Sequence, residues 1–384
     1  MSVGDELFKA PGCFHGGAFF EAIGTGFDAL DRRKTIVNAD VLDAWFSPSP
    51  GVLSTIQEHL PWLARTSPPI QCEGLCEAIA SHRGVRTENI LTGAGSSDLI
   101  YRAFLAWLNR KSRVLILDPT YGEYAHVLEN VIGCNVDRLT LSRRNGYEVN
   151  LDELHWQIRE GYDLVVLVNP NNPTGRHIPR TELENVLRTV PSETLVWIDE
   201  AYVDYVGSAE SLEQFAAGSK NIMVCKSMSK AYALSGMRVA YLCASPHLLR
   251  GLVARTPPWA VGLLAQVAAV RSLQDRGYYE EQYRKTHSLR DDMREALHSM
   301  GIRDVVPGVA NFLMFHLDAP HPTAAEIIER SRHSGVFLRD VSKMGSSLGS
   351  RVLRVAVKDA TSNERVIRTL QECLPPLSAS AHGN

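Results

Sequence analysis

The stretch Val224-Cys-Lys-Ser-Met-Ser-Lys230-Ala-Tyr-Ala-Leu-Ser-Gly-Met-Arg238 leaves an apolar run and packs hydroxyls, lysine and one arginine closely together. That set suits an anionic group bonded to a lysine. A lysine attacks an aldehyde only as the free amine, while hydroxyls and a guanidinium can take a phosphate dianion. Read by itself, the loop could equally be a solvated basic turn, since most lysines lie on the surface. The flanking chain decides between the two.

From about Asn89 to Cys243, short β-rich runs alternate with helix-compatible ones. The runs are Asn89 to Thr92, Arg113 to Asp118, Asn135 to Leu141, Asp163 to Val168, Thr194 to Asp199, Asn221 to Cys225 and Val239 to Cys243. Several are continuously apolar, as strands buried on both faces of a mostly parallel sheet must be. This predicts an α/β class chain with a large three-layer α/β/α domain. Beyond Pro257-Pro258 the pattern turns helical, with a charged amphipathic run from about Gln274 to Met300. Asn311 to Phe315, Val336 to Leu338 and Val352 to Val357 then read as strands of a smaller α+β unit, completed by the stretch from Thr323 and a last helix from Asn363. The expected division is an N-terminal segment 1–65 contributing to the small unit, a large domain 66–265 and a small domain 266–384. Cys72 and Cys76 have the spacing of neighbours on one helical face, and Leu75 and Ile79 make core packing the reading there rather than metal binding. Ser378 to Asn384 reads as a frayed tail.

Four further groups fall at ends of predicted strands. Asp199, in Leu195-Val-Trp-Ile-Asp199-Glu-Ala-Tyr202, puts a carboxylate where ligands of open α/β sheets collect, and facing a pyridine nitrogen it would keep the ring protonated. Alone it could simply cap the next helix. Val168-Asn-Pro-Asn-Asn172-Pro-Thr-Gly175 turns sharply and would fix side-chain amides at the sheet edge, although turns favour these residues for local reasons. Thr92-Gly-Ala-Gly-Ser-Ser-Asp98 precedes a helix over Leu99 to Leu108, so amides at Ser96 and Ser97 would point at an anion. Asp98 stands where a dinucleotide fingerprint has its third glycine, and no Walker A lysine follows, which disfavours nucleotide binding. Asp118-Pro-Thr-Tyr121 offers a ring for stacking on a heterocycle, or for plain packing. Together the five groups supply partners for a phosphate, a ring nitrogen, a ring oxygen, a ring face and an aldehyde.

At these residues the chain resembles the class I/II aminotransferases of pyridoxal-5′-phosphate (PLP) fold type I, nearest to histidinol-phosphate aminotransferases and threonine-phosphate decarboxylases. The resemblance implies PLP as cofactor, Lys230 as the Schiff-base lysine, Asp199 on the pyridine nitrogen, Asn172 and Tyr202 on the ring hydroxyl and Tyr121 stacked on the ring. It implies a phosphate cup of Ser96, Ser97, Ser227, Ser229 and Arg238. Arg354, in Leu353-Arg-Val-Ala-Val357, matches the fork for the substrate's α-carboxylate, and Arg339 matches a second arginine near its distal end. His15-Gly-Gly17 and Pro258-Trp-Ala-Val261 lean toward the decarboxylases. Two segments depart from both families. Leu42-Asp-Ala-Trp-Phe-Ser-Pro-Ser-Pro50 replaces an Asn-x-Asn-Pro-x-Gly-Pro-like pocket lining, and Arg65-Thr-Ser-Pro68 lacks the tyrosine that reaches a partner's cofactor. Phe46 thereby becomes a candidate substrate contact.

The implied activity is transamination of an α-amino acid through the Lys230 Schiff base and a quinonoid intermediate. The alternative is decarboxylation, elimination, replacement or cyclisation of a specialised pathway on the same fold. A regulator carrying an aminotransferase-like domain is disfavoured, because the stretch before the core is short and not basic. The resemblance also implies a homodimer.

The composition is that of an ordinary soluble globular protein. The 384 residues carry 40 Lys+Arg against 43 Asp+Glu, with 45% hydrophobic residues, so neither a nucleic acid nor a membrane surface is indicated as partner. Seven scattered cysteines suggest reduced thiols and a cytoplasmic location, with no metal site. Met1 to Lys9 has acidic residues where a signal peptide is basic, and Val261 to Val270 is too short to span a bilayer.

Overall fold

The structure is a computed structural model that describes residues 16–374. The calls on Met1 to Lys9, His15 and Ser378 to Asn384 lie outside these residues.

Seven strands form the main sheet in the order Ile90–Gly93, Ala240–Ala244, Ile222–Ser227, Leu195–Asp199, Leu164–Val168, Arg113–Asp118, Asn135–Thr140. Only Ala240–Ala244 runs against its neighbours. The strand Leu164–Val168 is buried at every position, which requires helices on both faces. Alternate residues serve the two faces. Val166 and Trp197 pack with Phe104 and Tyr124 on one side, while Val165, Val196 and Ile198 join Leu183 and Leu187 on the other. Because the sheet is otherwise parallel in direction, Gly93, Asp118, Val168, Asp199 and Ser227 end at one edge. That edge is where an open α/β sheet leaves a crevice.

The smaller sheet is antiparallel, in the order Arg339–Asp340, Val352–Ala356, Phe312–His316. Val37–Asn38 pairs in parallel with Val336–Phe337, so the N-terminal segment is stitched to the C-terminal unit by backbone hydrogen bonds. The helix Leu263–Gln274 runs without a break across the expected boundary at 265–266, and it packs on the helices Pro50–Arg65 and Glu73–Arg83.

Three local expectations are corrected. Cys72 does not share a helical face with Cys76: it is the N-cap of Glu73–Arg83, in the left-handed region at φ 59°, although both thiols are buried. The helix expected from Leu99 begins at Ser96, because Asp98 accepts from the Ala94 amide at 2.9 Å and pairs with Arg102, closing the first turn. The last helix begins at Ala360 rather than Asn363, because Asp359 caps it by accepting from the Ser362 amide at 3.0 Å. Among the described residues no helix is long and apolar enough to cross a membrane, and no group of ligating side chains could hold a metal ion.

A buried pair links the large sheet's periphery to the small unit. Tyr147 hydroxyl and His316 Nε2 lie 2.8 Å apart with their rings stacked. Burial, with Arg143 nearby, pushes His316 down to about 4. A folded-state value below the unfolded one means that the unfolded chain takes up the proton first. Stability that is full above about pH 6.5 is therefore lost as the pH falls toward 4. Chemical denaturation across this window should show wild type losing on the order of 1–3 kcal/mol more than His316→Asn does. Parallel curves for the two proteins would contradict the assignment.

Candidate active site

The crevice at the strand ends holds a cavity of about 130 Å³ lined by Ser96, Tyr121, Asn172, Asp199, Tyr202, Ser227, Lys230, Arg339 and Arg354, with Val41, Leu42 and Met344. It adjoins a wider groove of about 1640 Å³, which shares Tyr121, Gly122, Arg339 and Met344 with it.

Two lysines stand four residues apart in the deciding stretch, and their surroundings separate them. Lys226 is buried in the strand Ile222–Ser227, with Nζ 3.0 Å from Asp204 and 3.9 Å from Glu200. Asp204 also pairs with Arg83 at 3.0 Å. Burial alone would raise the Asp204 carboxyl, but Arg83 and Lys226 outweigh it and hold the group well below the usual carboxylate range. Lys226 is thus committed to a structural ion cluster. Lys230 lies one turn on, in the short helix Met228–Ala231, and lines the cavity.

Asp199 ends its strand buried. One carboxylate oxygen accepts from the Tyr124 hydroxyl at 2.7 Å and the other from the Ala201 amide at 3.0 Å. Burial raises its carboxyl despite the Tyr124 bond, so the site favours a cation beside it. Tyr124 is in turn held by Trp197 Nε1 at 2.9 Å. Sequence reading missed Tyr124, because a tyrosine three residues past Tyr121 carries no motif.

The anion cradle forms where the strand Ile90–Gly93 turns into the helix Ser96–Trp107. Gly95 has φ +92°, and a Cβ there would fall on the Arg238 guanidinium, so only glycine lets Arg238 close over this turn. Arg238 also donates to the Ser235 carbonyl at 3.1 Å and reaches Ser229 Oγ at 3.5 Å. Ser96 and Ser227 face the cavity, while Ser97 sits in the first helical turn beside it and Ser229 is buried behind Arg238.

Arg339 and Arg354 face each other across the small sheet's ladder. Arg354 is buried, with one terminal nitrogen 2.5 Å from Asn172 Oδ1 and the other 2.9 Å from the Asp40 carbonyl. Arg339 Nε lies 2.9 Å from the Asp40 carboxylate. Tyr202 is buried with its ring edge-on to Phe312 at 5.3 Å, and burial raises its phenol. Asp40 was not anticipated. It comes from a segment whose partners lie some three hundred positions away, and local sequence carries no sign of such pairs.

Phe46 is a correction. It does not line the cavity but packs among Trp45, Tyr278, Tyr279 and Tyr283, with ring centroids 5.7–6.5 Å away. An aromatic pocket inside the fold absorbs it. Trp259 is exposed and sits at φ 59°, and its amide donates to the Ile70 carbonyl at 3.3 Å.

The residues fit PLP. The glycine-dependent cradle with Arg238 suits a phosphate, and the raised Asp199 carboxyl suits a ring nitrogen that carries a proton. Tyr121 and Asn172 flank the space between, and Lys230 stands within it.

Residues 52–370 match the family described as Aminotransferase class I and II. A histidinol-phosphate aminotransferase of Moorella thermoacetica is 31% identical over 85% of this chain and 82% of its own length. Among solved structures, the histidinol-phosphate aminotransferase of Sinorhizobium meliloti in complex with pyridoxal-5′-phosphate superposes with a TM-score of 0.82 at 22% identity, covering 96% of both chains. The L-threonine-O-3-phosphate decarboxylase of Porphyromonas gingivalis gives 0.76 at 25% identity over 88% of this chain and 98% of that one. The fold, the cradle and these likenesses agree: the chain belongs to the class I and II aminotransferases and is a PLP-dependent transferase.

Proposed function

We propose that the protein transaminates an α-amino acid, with Lys230 as its Schiff-base lysine. The observation that carries this is Arg354, buried against the same cavity as Lys230 and braced from two sides by Asn172 and Asp40, with its Nε unpartnered. A buried guanidinium held this way favours a carboxylate in front of it, and docking that carboxylate fixes which bond at the α-carbon faces Lys230. When bound, the cofactor supplies the aldehyde and a ring that draws electrons from the α-carbon. Lys230 would be the group that holds and moves the α-proton. Asp199 would keep the ring nitrogen protonated, Arg238, Ser96 and Ser227 would hold the phosphate, and Tyr202 with Asn172 would hold the ring oxygen.

Incubating the holoenzyme with a panel of amino acids should convert the cofactor to its pyridoxamine form and release a keto acid. No pyridoxamine form with any donor that reacts would end this reading. Arg354→Lys keeps the charge but loses the planar fork. It should lower kcat/KM for the best donor roughly 10- to 100-fold, or about 1.5–3 kcal/mol, and the effect should vanish with the decarboxylated amine of that donor.

The second reading is decarboxylation, or elimination, replacement or cyclisation at the same cofactor. Its support is the likeness to the Porphyromonas gingivalis decarboxylase and the acid that the rewritten N-terminal segment sets beside Lys230. Carbon dioxide or a lost side-chain group, in place of keto acid, would identify it. A twofold dimer belongs to the same proposal, supported by the exposed Leu60, Trp62, Ile70 and Trp259, of which the last two are joined through a backbone hydrogen bond.

A further inference from the structure

The segment from Ala39 to Asp43 is not a loose lining. Four of its five carbonyls are pinned by the C-terminal unit. Ala39 accepts from the Ala356 amide at 2.9 Å, Asp40 from Arg354 at 2.9 Å, Leu42 from Asn311 Nδ2 at 3.1 Å and Asp43 from Lys358 Nζ at 2.9 Å. This framework aims the Asp43 carboxylate at Lys230, whose Nζ donates to Oδ1 at 2.9 Å. Ser235 Oγ lies 3.5 Å from the same Nζ.

We propose that Asp43, fixed through its carbonyl by Lys358, is a positioning residue that holds the Lys230 amine at the reacting centre as the ion-pair partner of its protonated form. This rests on the reading of Lys230 as the lysine that bonds the cofactor. A freed lysine has a long flexible stem, and without an anchor it would sample geometries that cannot reach the substrate's α-carbon. A carboxylate at hydrogen-bond distance keeps the nitrogen in place and stabilises the positive charge it acquires on taking a proton. The groups that face Asp43 are Lys230 and Ser235 from the cofactor loop, Lys358 from the end of the last strand, and Tyr202. Burial by itself would raise the Asp43 carboxyl, but Lys230, Ser235 and Lys358 together hold it below its usual value. Burial in turn pushes Lys358 down to about 8, against the pull of Asp43. The carboxylate is therefore present throughout the neutral range.

The test compares Asp43→Asn, Asp43→Ala and Asp43→Glu holoenzymes with wild type. The first readout is the pH titration of the absorbance of resting enzyme without substrate, which follows the proton on the Lys230–cofactor nitrogen. Removing a neighbouring negative charge disfavours the protonated form, so in Asp43→Asn the midpoint should fall by about one pH unit or more. The second readout is kinetic: kcat should drop roughly tenfold or more while KM stays within about threefold, with Asp43→Glu recovering part of both effects. A purely structural role would lower the melting temperature or the cofactor content and leave the midpoint in place, which would overturn the proposal. Borohydride reduction of wild type separates the two layers. A tag on Lys230 with an unmoved Asp43→Asn midpoint overturns this proposal alone, whereas a tag on another lysine overturns the reading of Lys230 and this proposal with it.

Discussion

Lys230→Ala should abolish turnover, with a loss of roughly 10^4-fold or more, while leaving a folded protein that still takes up PLP. The size follows from the two roles that the proposed function puts on one side chain. The covalent capture of the aldehyde goes, and so does the base that moves the proton at the α-carbon. The fold should be spared because, among the described residues, the hydrogen-bond partners of the Lys230 Nζ are the side chains of Asp43 and Ser235, both only partly buried. The cofactor should still bind, because the cradle of Gly95, Ser96 and Arg238 and the Asp199 carboxylate do not depend on Lys230. Equilibrium dialysis, near-ultraviolet absorbance and steady-state rates check the three parts. A variant that kept a tenth of wild-type turnover would show that another residue carries the proton.

Asp199→Asn should cost roughly 10^2- to 10^4-fold in kcat, the range of a single well-placed electrostatic or acid–base group. The amide oxygen can still accept from the Ala201 amide while its NH2 donates to the Tyr124 hydroxyl oxygen, so the geometry should largely persist while the charge is lost. On the proposed reading, losing that charge would leave the ring nitrogen without its anionic partner, and the ring would draw electrons from the α-carbon poorly. Asp199→Glu should recover part of the rate. Equal rates for wild type and Asp199→Asn would mean that the carboxylate serves only to hold Tyr124.

Much of this site was legible because its chemistry sits at strand ends, and strand ends are marked in sequence by apolar runs giving way to polar residues. Arg113–Asp118 has the expected bounds, and Asp199 closes its strand as read. Polar identity also counted: a lysine among serines with an arginine eight residues on has few purely structural reasons to exist. What stayed hidden depends on contacts between distant segments. Asp43 meets Lys230 across 187 positions, and Arg354 meets Asp40 across 314. No local pattern encodes those distances. Phe46 shows the same limit from the other side. An aromatic residue in a rewritten segment carries no periodicity to say whether it faces a cavity or a cluster of tyrosines. Cys72 shows that residue spacing alone misleads where a cap takes the chain out of helical geometry.

The choice between the neighbouring lysines is the centre of the account, since Lys226, Lys230 and Lys358 all lie near the cavity or its walls. Reducing the PLP-loaded enzyme with borohydride, digesting it and sequencing the labelled peptide by mass spectrometry reads that choice directly. A stoichiometric pyridoxyl group on Lys230, and none on Lys226 or Lys358, is the expected result. A label on either of those two, or no label on an enzyme that binds PLP and turns over, would contradict it.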